Sequence, residues 1–346
     1  MSDWTSPDGT TPPDAPGAQS PGGLPPGTTP PPPPPPAPSG PPPGGGWAGG
    51  RRIPLRPMRF GEMLDAAFKL YRLTFSQVAA LVILTLGIFT VLQVAVQPAA
   101  PGLAGDPAEL DAFLNEMGSG LLLSGLIGIF VQLFVYPIVR GGVTGIAIEA
   151  DRGGDTSWQA GLRTAQRLAG RLIALGLVLF AIGLGVTLAL LVVIGGPIAL
   201  LVAADAPLGV AVVAVIAVPL VAVVVLAMTA LLYLTVPILL VERVRPVDAV
   251  RRSVALVRPQ LLRVAGLVFV TGLLTFLVSG VFGVFSVPFT FFGGTAAQVA
   301  TALLTMATLV VTIPFQANVA LLLYVDARVR AEGLDVAVLT AELDQL

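Results

Sequence analysis

The chain has no cysteine and no histidine, a single lysine (Lys69), and few charges of either sign. The first two absences remove disulfides, thiolate nucleophiles, the common zinc ligands and the side chain that most often serves as a base near neutral pH. Charged residues make up 11% of the 346 positions, less than half of the ~25% typical of a soluble domain. Mean hydropathy is +0.87. A soluble globular chain is thereby excluded, and a polytopic membrane protein is the class that remains. The net charge of −1 decides nothing about partners by itself; the placement of the charges does, and it leaves no nucleic-acid partner expected. Phosphate loops, dinucleotide fingerprints and serine elbows are also missing. No cofactor and no metal are expected, and the chain reads as a non-enzyme.

What is present in abundance is apolar sequence. From Leu172 to Val241 the only charged side chain is Asp205. A bilayer core of roughly 30 Å is crossed by about 20 apolar residues, whereas this stretch would reach some 105 Å as one helix at about 1.5 Å per residue. Gly195-Gly196-Pro197 and Ala204-Asp205-Ala206-Pro207 interrupt it with turn chemistry. It is therefore a membrane hairpin with a short loop around Asp205. The same reasoning along the chain places six spans at about 78–96, 121–139, 172–194, 210–241, 264–285 and 298–324. The fourth is longer than a bilayer needs, so tilt, a kink at Pro219 or Pro237, or projection beyond the membrane must absorb the excess.

Around these spans the composition changes. Residues 1–50 hold eighteen of the thirty-two prolines, including the run Pro30–Pro36. Such a segment has almost nothing to bury and is expected to be a disordered, locally polyproline spacer, or a docking strip for a protein partner. A membrane domain is expected over 51–330 and a second tail over 331–346. Three basic amphipathic segments are expected ahead of the first, third and fifth spans: Phe60–Arg72, Trp158–Leu172 and Glu242–Arg263. Between the first two spans lies an acidic loop, Pro98–Ser119, and between the last two a short turn, Pro288–Gly294.

The charges orient the whole. With six spans and the amino end inside, all nineteen basic residues fall on inner segments, and the outer loops carry five acids and no base. Positive residues favour the cytoplasmic side, so both termini are expected in the cytoplasm of a bacterial cell, the protein lying in its inner membrane. Three times the chain also runs basic helix, span, outer turn, and a span with proline near its inner end: Pro137, Pro237 and Pro314. All three units start on the same side, so the repeats are parallel. The expected fold is an all-α bundle of six transmembrane helices in three hairpin repeats.

Two groups of residues are candidates for function. Arg163, Arg167 and Arg171, with Arg251, Arg252, Arg258 and Arg263, belong to the basic helices at headgroup level. They either set topology or line a groove for a phosphate-bearing lipid headgroup. Gln316 and Asn318, just past Pro314, could bind a polar group where proline frees a backbone carbonyl. Other polar residues within spans, such as Gln93, Gln132 and Gln298, read as makers of inter-helix hydrogen bonds. Glu149, Asp151, Glu242 and Asp326 read as structural partners of nearby arginines. The role expected is organising or handling lipids or partner proteins at the cytoplasmic face. The alternative is a small-molecule or lipid permease, which requires Gln93, Gln132, Gln316 and Asn318 to face one cavity.

Three segments carry a family likeness: Ile53-Pro-Leu-Arg-Pro-Met-Arg-Phe-Gly-Glu-Met-Leu-Asp-Ala-Ala-Phe68, Pro246-Val-Asp-Ala-Val-Arg-Arg-Ser-Val-Ala-Leu-Val-Arg258, and Leu322-Leu-Tyr-Val-Asp-Ala-Arg-Val-Arg-Ala-Glu-Gly-Leu-Asp335. Over about residues 51–340 the chain resembles a group of actinobacterial membrane proteins, the glycerophosphoryl diester phosphodiesterase membrane-domain family. That family is named for fusions in which a separate soluble domain performs the hydrolysis. This chain has no stretch long enough for that domain and no histidine to serve it. The resemblance implies an integral membrane module without phosphodiesterase activity.

Overall fold

The computed structural model describes residues 53, 56–97 and 107–333. The expected tails over 1–50 and beyond 333 lie outside the described residues. Helices account for nearly all the rest: α1 (Phe60–Val96), α2 (Pro107–Phe130), α3 (Tyr136–Arg152), α4 (Trp158–Arg167), α5 (Ala169–Leu190), α6 (Gly196–Ala203), α7 (Pro207–Leu232), α8 (Thr235–Glu242), α9 (Pro246–Val257), α10 (Leu261–Phe292) and α11 (Gly294–Glu332). A π turn, Val131–Val135, joins α2 to α3, and another, Leu191–Gly195, joins α5 to α6. Six helical rods are long and apolar enough to cross a membrane.

Length alone divides the molecule. With 37 residues α1 is about 55 Å long, and α11, with 39, about 58 Å. Both exceed a hydrocarbon core of ~30 Å, so their ends stand out of it. Burial marks the division. In α1 the buried positions run Met63, Ala67, Leu70, Thr74, Val78, Leu81, Val82, Leu86 and then stop; Ile88, Val91 and Leu92 are exposed. In α11 burial begins at Met306, is nearly continuous from Thr312 to Val329, and is absent before Met306. In α5 only Leu172 and Leu175 are buried. One half of the bundle thus presents apolar side chains outward, as lipid requires. The other half, which holds the basic helices, closes around a packed core. There α11 is central, touching α1, α3, α8, α9 and α10.

Glycines on α3 allow the closest of these contacts. A Cβ at Gly141 would lie 2.5 Å from Leu172 Cδ1, and one at Gly142 would lie 2.8 Å from Leu81 Cδ2. On α4 a Cβ at Gly161 would meet Ile146 Cγ1 at 2.5 Å and the Gly142 carbonyl at 3.0 Å. Here α3 and α4 cross backbone to backbone, the use to which small residues are put in membrane helices.

The prolines shape the rods in three ways. Pro137 and Pro197 each sit two residues beyond a π turn. A proline has no N–H for the carbonyl four residues back and its ring crowds that carbonyl; the wider π turn gives it room. The Leu133 carbonyl, opposite Pro137, packs on Gly176, where a Cβ would come within 3.1 Å of it. Pro237 breaks the rod instead: α7 ends at Leu232 and α8 restarts at Thr235, whose hydroxyl donates to the Leu232 carbonyl (2.8 Å). The overlong fourth span is resolved by this break, four residues ahead of Pro237, whereas Pro219 stays inside α7. Pro288 and Pro314 likewise stay inside their helices.

Several local expectations change. The first amphipathic helix is not separate; it runs unbroken into the first span as α1, and its buried stripe centres on Met63, Ala67 and Leu70 while Phe60 and Phe68 are exposed. The expected acidic loop is helical from Pro107 onward, a proline at the first helical position being already set at helical φ. Between α10 and α11 the turn shrinks to Gly293 (φ 63°, ψ −165°) and Gly294 (φ 74°), backbone conformations that side chains resist. Asp205 does make the hairpin turn, in the left-handed region (φ 52°).

Candidate functional site

At the basic end, α3, α4, α5 and α8 surround a cleft of about 710 Å³. The glycine-mediated crossing of α3 and α4 builds it, because it brings the end of one helix beside the face of the other. Ser157 fixes the start of α4 by accepting from the Ala160 N–H (3.3 Å), and Gln77 Oε1 accepts from the Trp158 N–H (3.2 Å). Hydrogen bonds from Ser157 hold the neighbouring Asp155 carboxyl below its usual range.

Four guanidinium groups line this cleft: Arg152 from α3, Arg167 from α4, Arg171 from α5, and Arg243 just past α8. One carboxylate, Glu149, answers them, 3.6 Å from Arg152. Arg171 Nη1 donates to the Arg243 carbonyl (2.7 Å), which ties α5 to the turn after α8. Arg243 holds a left-handed conformation there (φ 54°), costly for a residue with a side chain. The Arg167 and Arg243 side chains have no hydrogen-bond or ion-pair partner among the described residues. Ile148, Leu168, Leu240 and Val241 give the cleft an apolar wall. Unpaired arginines beside such a wall suit an anion with several acceptor oxygens, such as a phosphate, joined to an apolar body.

Of the seven arginines picked out by sequence, two line this cleft. Arg163 turns away, donating to the Gln159 carbonyl (3.3 Å) and facing Asp155 at 3.8 Å. Arg251 and Arg258 are exposed and unpaired among the described residues. Arg252 and Arg263 serve the packing. Arg252 bonds Glu332 and lies 3.4 Å from Glu242. Tyr324 donates to Glu242 (3.0 Å), and Arg328 donates to Tyr324 (3.2 Å) and Glu332 (2.9 Å), closing a ring that joins α8, α9 and α11.

Arg263 belongs to a second network. Asp326, fully buried, accepts from the Met58 N–H (2.8 Å) and pairs with Arg263 (3.2 Å) and Arg330 (3.0 Å). The same two arginines donate to the Met58 carbonyl, at 2.6 and 3.0 Å. Asp151 accepts from the Ile53 N–H (2.6 Å). The residues leading into α1 are thus seated on buried carboxylates, a structural use of the inner acids.

Gln316 and Asn318 form no common site. Two residues apart on a helix, they face different ways. Gln316 donates to Thr275 Oγ1 (3.3 Å) and its carbonyl accepts from Tyr233 (3.3 Å). Asn318 is buried, with an amide nitrogen that finds no partner among the described residues. Gln93 and Gln132 do line one cavity, with Gln298, so two of the four amides needed for a polar path come together and two do not. No cluster of acids that could hold a metal ion occurs among the described residues.

Arg152 and Arg243 escaped the sequence reading. For Arg152 a signal existed: Val139, Val143, Ile146, Ala147 and Ala150 recur at helical spacing and carry α3 past its glycines to the arginine. Arg243 is placed by the turn that ends α8, for which no pattern stands out.

Six membrane-length apolar rods joined to a basic, packed end define a multi-pass helical membrane protein. The chain belongs to the family described as a domain of unknown function (DUF7847), whose model matches residues 63–327. That match takes in every residue of the cleft and the carboxylates of Asp151 and Asp326. No curated protein and no solved structure matches the chain.

Proposed function

We propose that this protein is a non-enzymatic membrane module that holds a phosphate-bearing lipid headgroup in the cleft between α3, α4, α5 and α8. The observation that carries the reading is the convergence of Arg152, Arg167, Arg171 and Arg243 on one apolar-walled recess, two of them without a partner among the described residues. The recess lies at the start of α5, where the chain enters its most lipid-exposed rod, so a bound headgroup can keep its acyl chains in the bilayer. The basic end is taken to face the cytoplasm of a bacterial cell, because all nineteen Lys and Arg residues fall on the sequence segments between spans that share one side. The likeness to the glycerophosphoryl diester phosphodiesterase membrane domains is read in the same sense, as a membrane module without hydrolytic activity. Transport has weaker support, since Gln316 and Asn318 stand apart from Gln93 and Gln132.

Mass spectrometry of the gently extracted, intact protein tests the reading. A phosphate-bearing lipid is expected at stoichiometric level, reduced about tenfold or more in Arg167→Ala/Arg243→Ala, each lost charge-assisted bond being worth ~1.5–3 kcal/mol. Equal retention by the two forms sinks the proposal. Orientation is checked separately. The natural absence of cysteine makes Asp205→Cys and Arg251→Cys clean reporters; an impermeant maleimide added to intact cells should label the first and spare the second.

A further inference from the structure

The apolar half of the bundle contains a second recess, of about 690 Å³. The last turns of α1, the π turn before α3 and the first half of α11 surround it, and the Gly293–Gly294 turn closes one side with bare backbone. Among the described residues its lining has no charge at all, yet it collects four glutamines and three threonines within otherwise apolar rods. Polar side chains at such depth ordinarily satisfy one another, and some here do: Gln298 donates to the Gln97 carbonyl (3.1 Å), and Thr90 to the Leu86 carbonyl (3.1 Å). The Gln93 and Gln132 amides do not. Neither has a hydrogen-bond partner among the described residues, although both line the recess. Gln93 is half-buried and Gln132 exposed along the recess, so both amides keep donor and acceptor groups open to whatever occupies that space.

The chemistry of that something follows from the lining. With neither cation nor carboxylate to hold it, an ion would lose its hydration for nothing. A primary amide both donates and accepts, which matches a hydroxyl group that does the same. Phe89 and Tyr136 also line the recess, and aromatic rings pack well against C–H groups. The volume lies within the ~300–1,000 Å³ of small-molecule sites. We infer that this recess binds a neutral polyhydroxyl group, a sugar or polyol, carried either as a lipid headgroup or as a free solute. It is a second site, independent of the basic cleft.

The test uses the full chain, purified in a detergent without sugar and placed in phosphatidylcholine nanodiscs. The probe is a monoglucosyl diacylglycerol with a photoreactive group on the sugar, and crosslinks are mapped by peptide mass spectrometry. Labels are expected within 86–97, 131–136 and 297–309. They should fall about tenfold in Gln93→Leu/Gln132→Leu, which removes two hydrogen-bonding groups without adding charge. Displacement of the label by excess methyl glucoside assigns the site to a free solute; persistence assigns it to the lipid. Labels spread evenly along the exposed faces of α5, α7 and α10, labelling unchanged in the variant, or no labelling at all would overturn the proposal. If the double variant is lost during purification, Gln132→Ala, at an exposed position, provides the same readout.

Discussion

The two halves of the bundle are built from the same residue types and do opposite things with them. In the apolar half, α5, α6 and α7 bury few side chains, Leu172, Leu175, Ala217 and Ala230, and Gly183, Gly185, Gly280 and Gly283 have nothing within 4 Å of the place a Cβ would occupy. In the basic half, the glycines of α3 and α4 are points where helices touch, and leucines and valines fill a closed core. The difference follows from the solvent. Lipid is as apolar as leucine and gives helices no hydrophobic reason to pack, whereas the ends that stand in water must hide their apolar surface. Insertion is specified by the first half, and the particular fold by the second.

The sharpest way to break this contrast is at a charge. Asp326→Ala leaves the Met58 N–H without its acceptor and Arg263 and Arg330, each about one-third exposed, with only the Met58 carbonyl. Several charge-assisted bonds are lost together, which should cost ~3 kcal/mol of stability. Asp205→Gly, at the exposed hairpin turn in the other half, should be neutral or slightly stabilising, since glycine accepts the left-handed backbone. Thermal unfolding in detergent measures both; similar shifts would mean that the apolar turn matters as much as the buried network. A core truncation comes next. Leu322→Ala, at a fully buried position, should cost ~2–5 kcal/mol, whereas Val215→Ala, 74% exposed, should stay within ~0.5 kcal/mol.

Glycine substitutions sharpen the comparison at smaller cost. Gly161→Ala forces a methyl against Ile146 and the Gly142 carbonyl and should destabilise by ~1–3 kcal/mol. Gly280→Ala should instead gain up to ~1 kcal/mol from helix propensity, its surroundings being empty. The smallest effect belongs to the cleft. Arg243→Gly should raise stability by about 0.5 kcal/mol, because it relieves a left-handed residue. The same change should weaken retention of the phosphate-bearing lipid. A drop in both would make Arg243 a structural residue.

Much of the fold was legible in the residues because the signal for a span is long and unidirectional: some twenty apolar positions closed by charge or proline. The paired π turns were not, since Pro137 and Pro197 could equally have kinked, broken or simply continued their helices, as Pro237, Pro219 and Pro314 do. The site was half legible. Arg167 and Arg171 announce themselves by standing four apart on one amphipathic stretch, but Arg152 reaches the same cleft through the glycine crossing of α3 and α4, and Arg243 through the turn after α8 that Arg171 holds. Sequence spacing says nothing about the bond between Met58 and Asp326, 268 positions apart. The amides of Gln93 and Gln132 carried the residue-level signal, polarity in an apolar rod, without the information that separates them from the satisfied Gln316.

The seat that holds the leader reads main-chain atoms. Asp151 and Asp326 take N–H groups, and Arg263 and Arg330 take a carbonyl; every residue type supplies these except proline, which lacks the first. Positions 53 and 58 are therefore free to drift among residues of similar bulk, with Leu or Ile at 58 keeping both bonds and most of the burial. Proline, so plentiful upstream, is the one residue that cannot take either place without giving up the bond. Its frequency across related chains should fall to nothing at 53 and 58 while remaining high on either side.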